Sequence, residues 1–374
     1  MSEPYVSRRE RLIQQLEEIQ LGGLLVSKEV NVTYLTGFSG DSSYLIVTPQ
    51  KTVMVSDGRY TTQIAQECPE LEVNIRPPSQ NIQMATAEVF QKLGISSCGF
   101  DGHHLTVSHF QMLKDNTPSV GWKDDSHRIE QLRMIKDETE IAETRDAIAI
   151  AQTAFDVFKS NLQADSTEKQ LADAMEMYIR QAGGKCTSFP PIIASGERAA
   201  LPHAVPTEAR LGDDSFVLVD WGASNQAGYK SDLTRVLIRN TKATSSSTTS
   251  VPELPKVYEL VKEAQARAIA MLRPGVVAGD VDAAARRVFE EGGYADYFVH
   301  SLGHGVGLEI HEGPGLRPNS DTILRPGMVV TIEPGLYIAG KLGVRIEDDV
   351  LITEDGCEVL TNVAKEWDDQ FIDY

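Results

Sequence analysis

A mixed α/β (α+β) fold in two domains is what the sequence predicts, on three observations. Short β-branched runs alternate with amphipathic stretches as far as about residue 120, as in a compact α/β domain. A new helix with its own start signal opens beyond a boundary expected near 125–135. From residue 215 strands dominate, in the runs FVLVD, TRVLI, MVVTIE and VRIEDDVLI. The expected domains are 1–130 and 131–374, which suits 374 residues at roughly 150 per domain.

Taken in order, residues 7–20 place Leu12, Ile13, Leu16 and Ile19 on one helical face. GGLLVS (22–27), SYLIVT (43–48) and TVMVS (52–56) read as strands, the last two separated by the turn-prone Pro49-Gln50-Lys51. Asp137 and Glu140 form a capping-box pattern, and Ile141, Ile148, Ala151, Phe155 and Phe158 continue it as an apolar stripe. Two more helices are expected near 168–182 and 254–272. The polar, low-complexity stretch TKATSSSTTS (241–250) reads as a flexible surface loop.

The net charge of −19 disfavours a nucleic-acid binder, which needs a basic face, and also electrostatic docking on an anionic membrane. No stretch reaches the roughly 18 apolar residues of a membrane-spanning helix. The charged opening, MSEPYVSRRERLIQQLEEIQ, lacks the apolar core of a secretory signal, so a cytoplasmic location is expected. Cys68, Cys98, Cys186 and Cys357 form no CxxC pair and are expected to be buried free thiols.

Four local patterns carry chemistry. In VLVDWGASNQAGYKSDLTRVLI, two strand-like runs flank a turn-rich centre at 223–228. A hairpin centred on Gln226 would set Asp220 opposite Asp232 on one face. Such a pair, if buried, needs a shared proton or a cation; the alternative is two exposed acids on an open face. HSLGHGVGLEIHEGPG holds three of the chain's eight histidines, His300, His304 and His311, among glycines that argue for a turn or loop. Those glycines miss the GxGxxG spacing and no Walker lysine follows, which excludes a nucleotide loop. In MVVTIEPGLYI, Glu333 ends an apolar strand, where an unpartnered acid is costly. In GVRIEDDVLI, alternation turns Val344, Ile346 and Asp348 one way and Arg345, Glu347 and Asp349 the other. An Arg345–Glu347 pair on a wet sheet face is the alternative there.

Asp220, Asp232, His304, Glu333 and Glu347 together form a hard, oxygen-rich set. It suits two divalent ions, manganese first, with cobalt, zinc or iron as alternatives, better than soft copper. Two such ions about 3.5–4 Å apart would share a bridging water and lower its pKa.

The order VDWG, SDLTR, GHGVGLEIHE, TIEPG, VRIEDD resembles the pita-bread metallopeptidases of family M24, in particular the Xaa-Pro dipeptidases (prolidases) and aminopeptidase P. NVTYLTGFSGDSSYLIV (31–47) and VSDGRYTTQ (55–63) resemble the creatinase/prolidase-type N-terminal domain. The resemblance covers nearly the whole chain, with 241–250 its least family-like piece. It implies an N-terminal α/β domain followed by a pita-bread catalytic domain with a curved antiparallel sheet. It also implies a homodimer, and a substrate peptide with proline at its second position, cut before the proline through a bridging hydroxide at a two-metal centre. Asp232 and Glu347 would bridge the metals, Asp220 would complete one shell, and His304 and Glu333 the other. Glu333 would double as general base. His300 and His311 would hold the substrate carbonyl, His203 in ALPHAVP would flank the proline side, and Arg345 would orient its neighbours or contact substrate. Two alternatives share the fold: a creatinase-like metal-free C–N hydrolase and a non-catalytic binding module. Lost metal ligands would mark either, and all five are present.

Overall fold

The structure is a computed structural model that describes residues 3–240 and 251–373. The loop expected at 241–250 lies outside the described residues. Two compact units make up the chain, Met1–Arg133 and Met134–Tyr374.

The first unit is built on a six-stranded mixed sheet in the order Glu72–Arg76, Thr52–Asp57, Tyr44–Val47, Leu24–Val26, Ser97–Phe100, Gly121–Asp124. Tyr44–Val47 pairs antiparallel with both of its neighbours, and the other three pairings are parallel. Leu25, Ile46 and Val53 share one face, as their cross-strand register requires. Phe90 of helix Ile82–Leu93 and Leu113 of helix Val107–Asn116 cover that face. The three expected strands are here; the first helix, Glu3–Glu18, starts and ends earlier than the expected 7–20.

The second unit opens with helix Glu138–Ser160, whose start is the capping box of Asp137 and Glu140. Helix Glu168–Gln181 begins with a second box, Thr167 with Gln170. Helix Leu254–Met271 follows, and then Ala278–Gly292, which the sequence pattern does not announce. Its start has no capping side chain and its second residue is Gly279, so the usual start signals are missing.

The strands of this unit form a four-stranded sheet, a five-stranded sheet and two short ribbons. Strand Phe216–Trp221 lies inside the four-stranded sheet, between Leu233–Arg239 and Ile192–Ser195, and is buried on both faces. Phe216 and Leu218 join a core with Val257, Val261, Phe289, Val330 and Val344. Val217, Val219 and Trp221 join another with Phe155 and Met175. The Trp221 ring stacks on Phe155 with centroids 4.0 Å apart, and its Nε1 donates to Ala151 O at 2.9 Å. A run without polar alternation, FVLV, follows from two covered faces. It also holds Asp220 between two packed layers.

Candidate functional site

The hairpin forms, with a correction to its register. Asp220 pairs with Thr234, not Asp232, and the turn centres on Ala227 rather than Gln226. The turn is set by Asn225, whose Oδ1 accepts from Tyr229 N at 3.0 Å while Gly228 takes φ +91°. The register is locked at Gly222, where a Cβ would lie 1.9 Å from Ser231 O. Asp232 precedes the strand, two residues before Thr234 and thus on the same face.

The glycines around His304 also read differently in three dimensions. His304 lies not in a loop but on the short strand Gly303–Gly305, between Glu312–Leu316 and Val329–Ile332. A Cβ at Gly303 would stand 2.0 Å from Thr331 O, and one at Gly305 would stand 2.1 Å from Gly313 O. The glycines serve close backbone approach rather than chain reversal.

The run VRIEDDVLI breaks into two strands in different sheets. Leu342–Arg345 pairs with Gly335–Ile338, and Asp348–Ile352 pairs with Val329–Ile332. Glu347 lies at the break and bridges to Thr234. The expected alternation nevertheless describes the contacts. Arg345 binds Asp220 through Nη2, Glu347 Oε2 accepts from Thr234 Oγ1 at 2.6 Å, and Asp349 Oδ2 accepts from Asp232 N at 3.1 Å. Asp348 turns away to Arg235, at 2.7 Å. Arg345 and Glu347 therefore form no mutual pair on a wet face; both are buried.

All nine candidate residues line one cleft of ≈ 1280 Å³. Asp220, Asp232, Glu333, Glu347 and His304 lie together with Arg345, and His203, His300 and His311 also line the cleft. His203 and His311 are exposed. Asp232, His304 and Glu347 each offer a ligand atom within 4.8 Å of the others. His304 Nδ1 lies 3.1 Å from Gly305 O, and a carbonyl can only accept, so Nδ1 carries the proton. Nε2 is then left facing Glu333 Oε1 at 3.2 Å and Asp232 Oδ2 at 3.6 Å. A bare nitrogen opposed to two carboxylate oxygens is repulsive unless a proton or a cation sits between them.

The titration behaviour has the same origin. Burial, and then the neighbouring carboxylates, raise Asp232 and Glu347 well above the ordinary range. Burial raises Asp220 despite Arg345. Burial opposes ionisation of Glu333 too, but its His304 hydrogen bond and the nearby cations win and lower it. The same bond raises His304 against its burial. Asp220 Oδ1 is buried without a partner. One arginine against four carboxylates leaves the group short of positive charge. An acceptor-rich, charge-deficient pocket with an aimed imidazole fits divalent metal ions.

Several positioning residues lay outside the sequence reading. Gln265, fully buried on helix Leu254–Met271, donates to Ile332 O at 3.1 Å and Ile346 O at 3.2 Å, the carbonyls just before Glu333 and Glu347. Asp282 accepts from Leu302 N at 3.0 Å and holds Arg286, which donates to His300 O at 2.6 Å. Tyr337 accepts from Arg345 Nη1 at 2.7 Å and lies 2.9 Å from His300 Nε2. Because His300 Nδ1 donates to Ser301 O at 2.7 Å, Nε2 accepts the Tyr337 hydroxyl proton. Burial lowers His300 and keeps it neutral. No local signal marks these residues, because each acts on groups far away in sequence.

Residues 142–354 match the profile of metallopeptidase family M24, and residues 8–135 match the creatinase/prolidase N-terminal domain. The Xaa-Pro dipeptidase of Pyrococcus furiosus is 34% identical over 96% of this chain and 99% of its own length. Among solved structures, an Xaa-Pro dipeptidase from Bacillus anthracis superposes with a TM-score of 0.89 at 35% identity, covering 97% of this chain and 99% of that one. An X-Pro aminopeptidase from Thermotoga maritima gives 0.87 at 31% identity, covering 98% and 100%.

Proposed function

We propose that this chain, which belongs to metallopeptidase family M24 and carries its pita-bread domain behind a creatinase/prolidase-type domain, hydrolyses the Xaa-Pro bond of dipeptides or peptide N-termini with two divalent ions. The observation that carries the reading is His304 Nε2 set 3.2 Å from Glu333 and 3.6 Å from Asp232, beside a further ligand atom of Glu347. The names of the similar Pyrococcus, Bacillus and Thermotoga proteins support the Xaa-Pro assignment.

In this reading Asp232 and Glu347 would hold both ions, Asp220 would complete one set of ligands, and His304 with Glu333 would complete the other. Manganese is the first choice, with cobalt, zinc or iron as alternatives. When bound, the ions supply Lewis acidity and make water nucleophilic near neutral pH. Glu333 accepts the water's proton and delivers it to the leaving nitrogen. His311, whose ring has no hydrogen-bond partner among the described residues, faces the substrate carbonyl. His300, engaged at both nitrogens, steadies Tyr337 and through it Arg345. Arg345 holds Asp220 in place, and His203 flanks the proline ring. An Xaa-Pro bond is a tertiary amide without an N–H, so a site that works through charge and shape does not miss that donor. A dipeptidase is favoured over an aminopeptidase, in a cytoplasmic homodimer.

The test is hydrolysis by metal-stripped protein reloaded with manganese, cobalt or zinc, on Ala-Pro, Ala-Pro-Ala, Ala-Ala and creatine. Metal-dependent release of alanine from Ala-Pro alone establishes a dipeptidase; release from the tripeptide as well establishes an aminopeptidase. Loss of peptide cleavage with every metal would overturn the proposal.

A further inference from the structure

One wall of the cleft is the segment 196–207, which contributes Arg198, Leu201, Pro202, His203, Val205 and Thr207. It contains a 3-10 turn, Gly196–Ala200, and no strand. Leu201 is 52% and Val205 76% exposed, while Ala199 and Ala204 are buried in the core. Ala199 and Ala204 tie its middle to the core, but no sheet ladder runs along it.

Both ends of the segment converge instead on Glu168, whose side chain is 1% exposed. Oε1 accepts from Ser195 N at 2.8 Å and Ser195 Oγ at 2.9 Å, at the point where the segment leaves strand Ile192–Ser195. Oε2 accepts from Thr207 N at 3.0 Å and Thr207 Oγ1 at 2.8 Å, where the segment ends. Arg198 Nε donates to both oxygens, at 3.1 and 2.9 Å, and Arg198 Nη2 donates onward to Val205 O at 2.7 Å. Only an ionised carboxylate, with acceptor sites on both oxygens and no donor, satisfies this set. The segment's departure is also fixed. Gly196 has φ +53°, and a Cβ there would lie 2.1 Å from Asp214 Oδ1. Its middle touches the strand that carries Arg345: a Cβ at Gly343 would lie 1.7 Å from Ala199 O, and Arg345 Nη1 reaches Pro202 O at 3.4 Å.

We propose that Glu168 is a positioning residue for substrate binding: by clamping both ends of the 196–207 wall it sets the place of His203 in the cleft, without itself touching substrate. The inference rests on the peptidase reading above for its kinetic consequence, but the clamp is testable without activity.

The experiment compares Glu168→Gln, Ser195→Ala, His203→Ala and the double variant Glu168→Gln/His203→Ala with the parent protein, all loaded with manganese. Glu168→Gln is expected to raise KM for Ala-Pro by about tenfold or more, with a smaller change in kcat, since misplacement on the order of 1 Å can cost up to about a hundredfold. Metal content by elemental analysis should not change. The double variant should lose no more kcat/KM than His203→Ala alone, because the two residues act through one interaction. Trypsin should cut Glu168→Gln after Arg198 much faster than the parent, as exposed loops released from their anchors are cut first. Ser195→Ala, which removes one of the bonds to Oε1, should move KM and cleavage the same way by less, and decides the matter if Glu168→Gln does not fold. Multiplicative losses in the double variant, or an unchanged KM with only a lower melting temperature, would overturn the inference. If the parent cuts no peptide, the peptidase reading fails by itself. Trypsin then decides the clamp: equal rates of cleavage after Arg198 in parent and variant would sink it.

Discussion

Asp348 offers a stability switch whose pH range follows from the structure. Its carboxylate is about 1% exposed and points away from the side on which Glu347 and Asp349 meet Thr234 and Asp232. Oδ1 accepts from Arg235 Nη2 at 2.7 Å and from Thr361 Oγ1 at 2.5 Å, while Oδ2 accepts from Lys365 Nζ at 2.5 Å. Burial opposes ionisation, but Arg235 and Lys365 prevail and hold the carboxyl at about 2 against an ordinary 3.8. That difference corresponds to about 2 kcal/mol of folding stability. Because the folded value is the depressed one, the stabilisation is complete above about pH 4 and is lost as pH falls toward 2. Asp348→Asn is expected to remove it. For a unit of this size the melting temperature at pH 7 should fall by about 5–10 °C. The difference between parent and variant should shrink steadily below pH 4 and nearly vanish at pH 2. The assay is calorimetric melting of metal-free protein across that range, so that metal loss does not contribute. A gap that stays constant with pH would show that the carboxylate's charge is not what stabilises this region.

In Glu333→Gln, turnover on Ala-Pro with saturating metal should drop by roughly 10²–10⁴-fold, the usual worth of a positioned general base; near-parental kcat would remove Glu333 from that role. Asp232→Asn should disturb both metal equivalents, and full two-metal occupancy by elemental analysis would count against bridging. Because burial and the neighbouring carboxylates raise Asp232 and Glu347 above the ordinary range without metal, manganese binding should be accompanied by proton release. Titration calorimetry in buffers of different ionisation enthalpy measures this, and identical heats in all buffers would contradict it. Lys136 and Glu312, 0% and 4% exposed, pair at 2.6 Å. Lys136→Met should cost about 3–5 kcal/mol in urea unfolding, because it removes the cation from a buried ion pair; a loss below about 1 kcal/mol would show that the pair does not hold this region.

The chemistry of the site was legible because it violates the pattern around it. Acids inside the apolar runs around Asp220, Glu333 and Glu347 demand compensation, and that demand can be read one strand at a time. The first capping box was legible for a similar reason, since Asp137 and Glu140 act within one turn. The two-residue error in the hairpin came from Gly222 and the Asn225 turn, whose close contacts decide register but leave little trace in residue type. Gly303 and Gly305 misled in the opposite sense, because a glycine that admits a neighbouring backbone looks the same as one that turns the chain. Gln265, Glu168 and Tyr337 could not be found at all. Gln265 reaches carbonyls 67 and 81 residues away, and no local periodicity encodes such a partner.

The doubly covered strand Phe216–Trp221 has one more consequence, for time rather than energy. A strand with a wet face can open by itself, but this one is roofed by Phe155 and Met175 on one side and Val257 and Val261 on the other. Its amides should exchange hydrogen with solvent only when the whole second unit comes apart. Asp220 inherits that slow clock, while His203 and His311, exposed at the rim of the same cleft, keep a fast one.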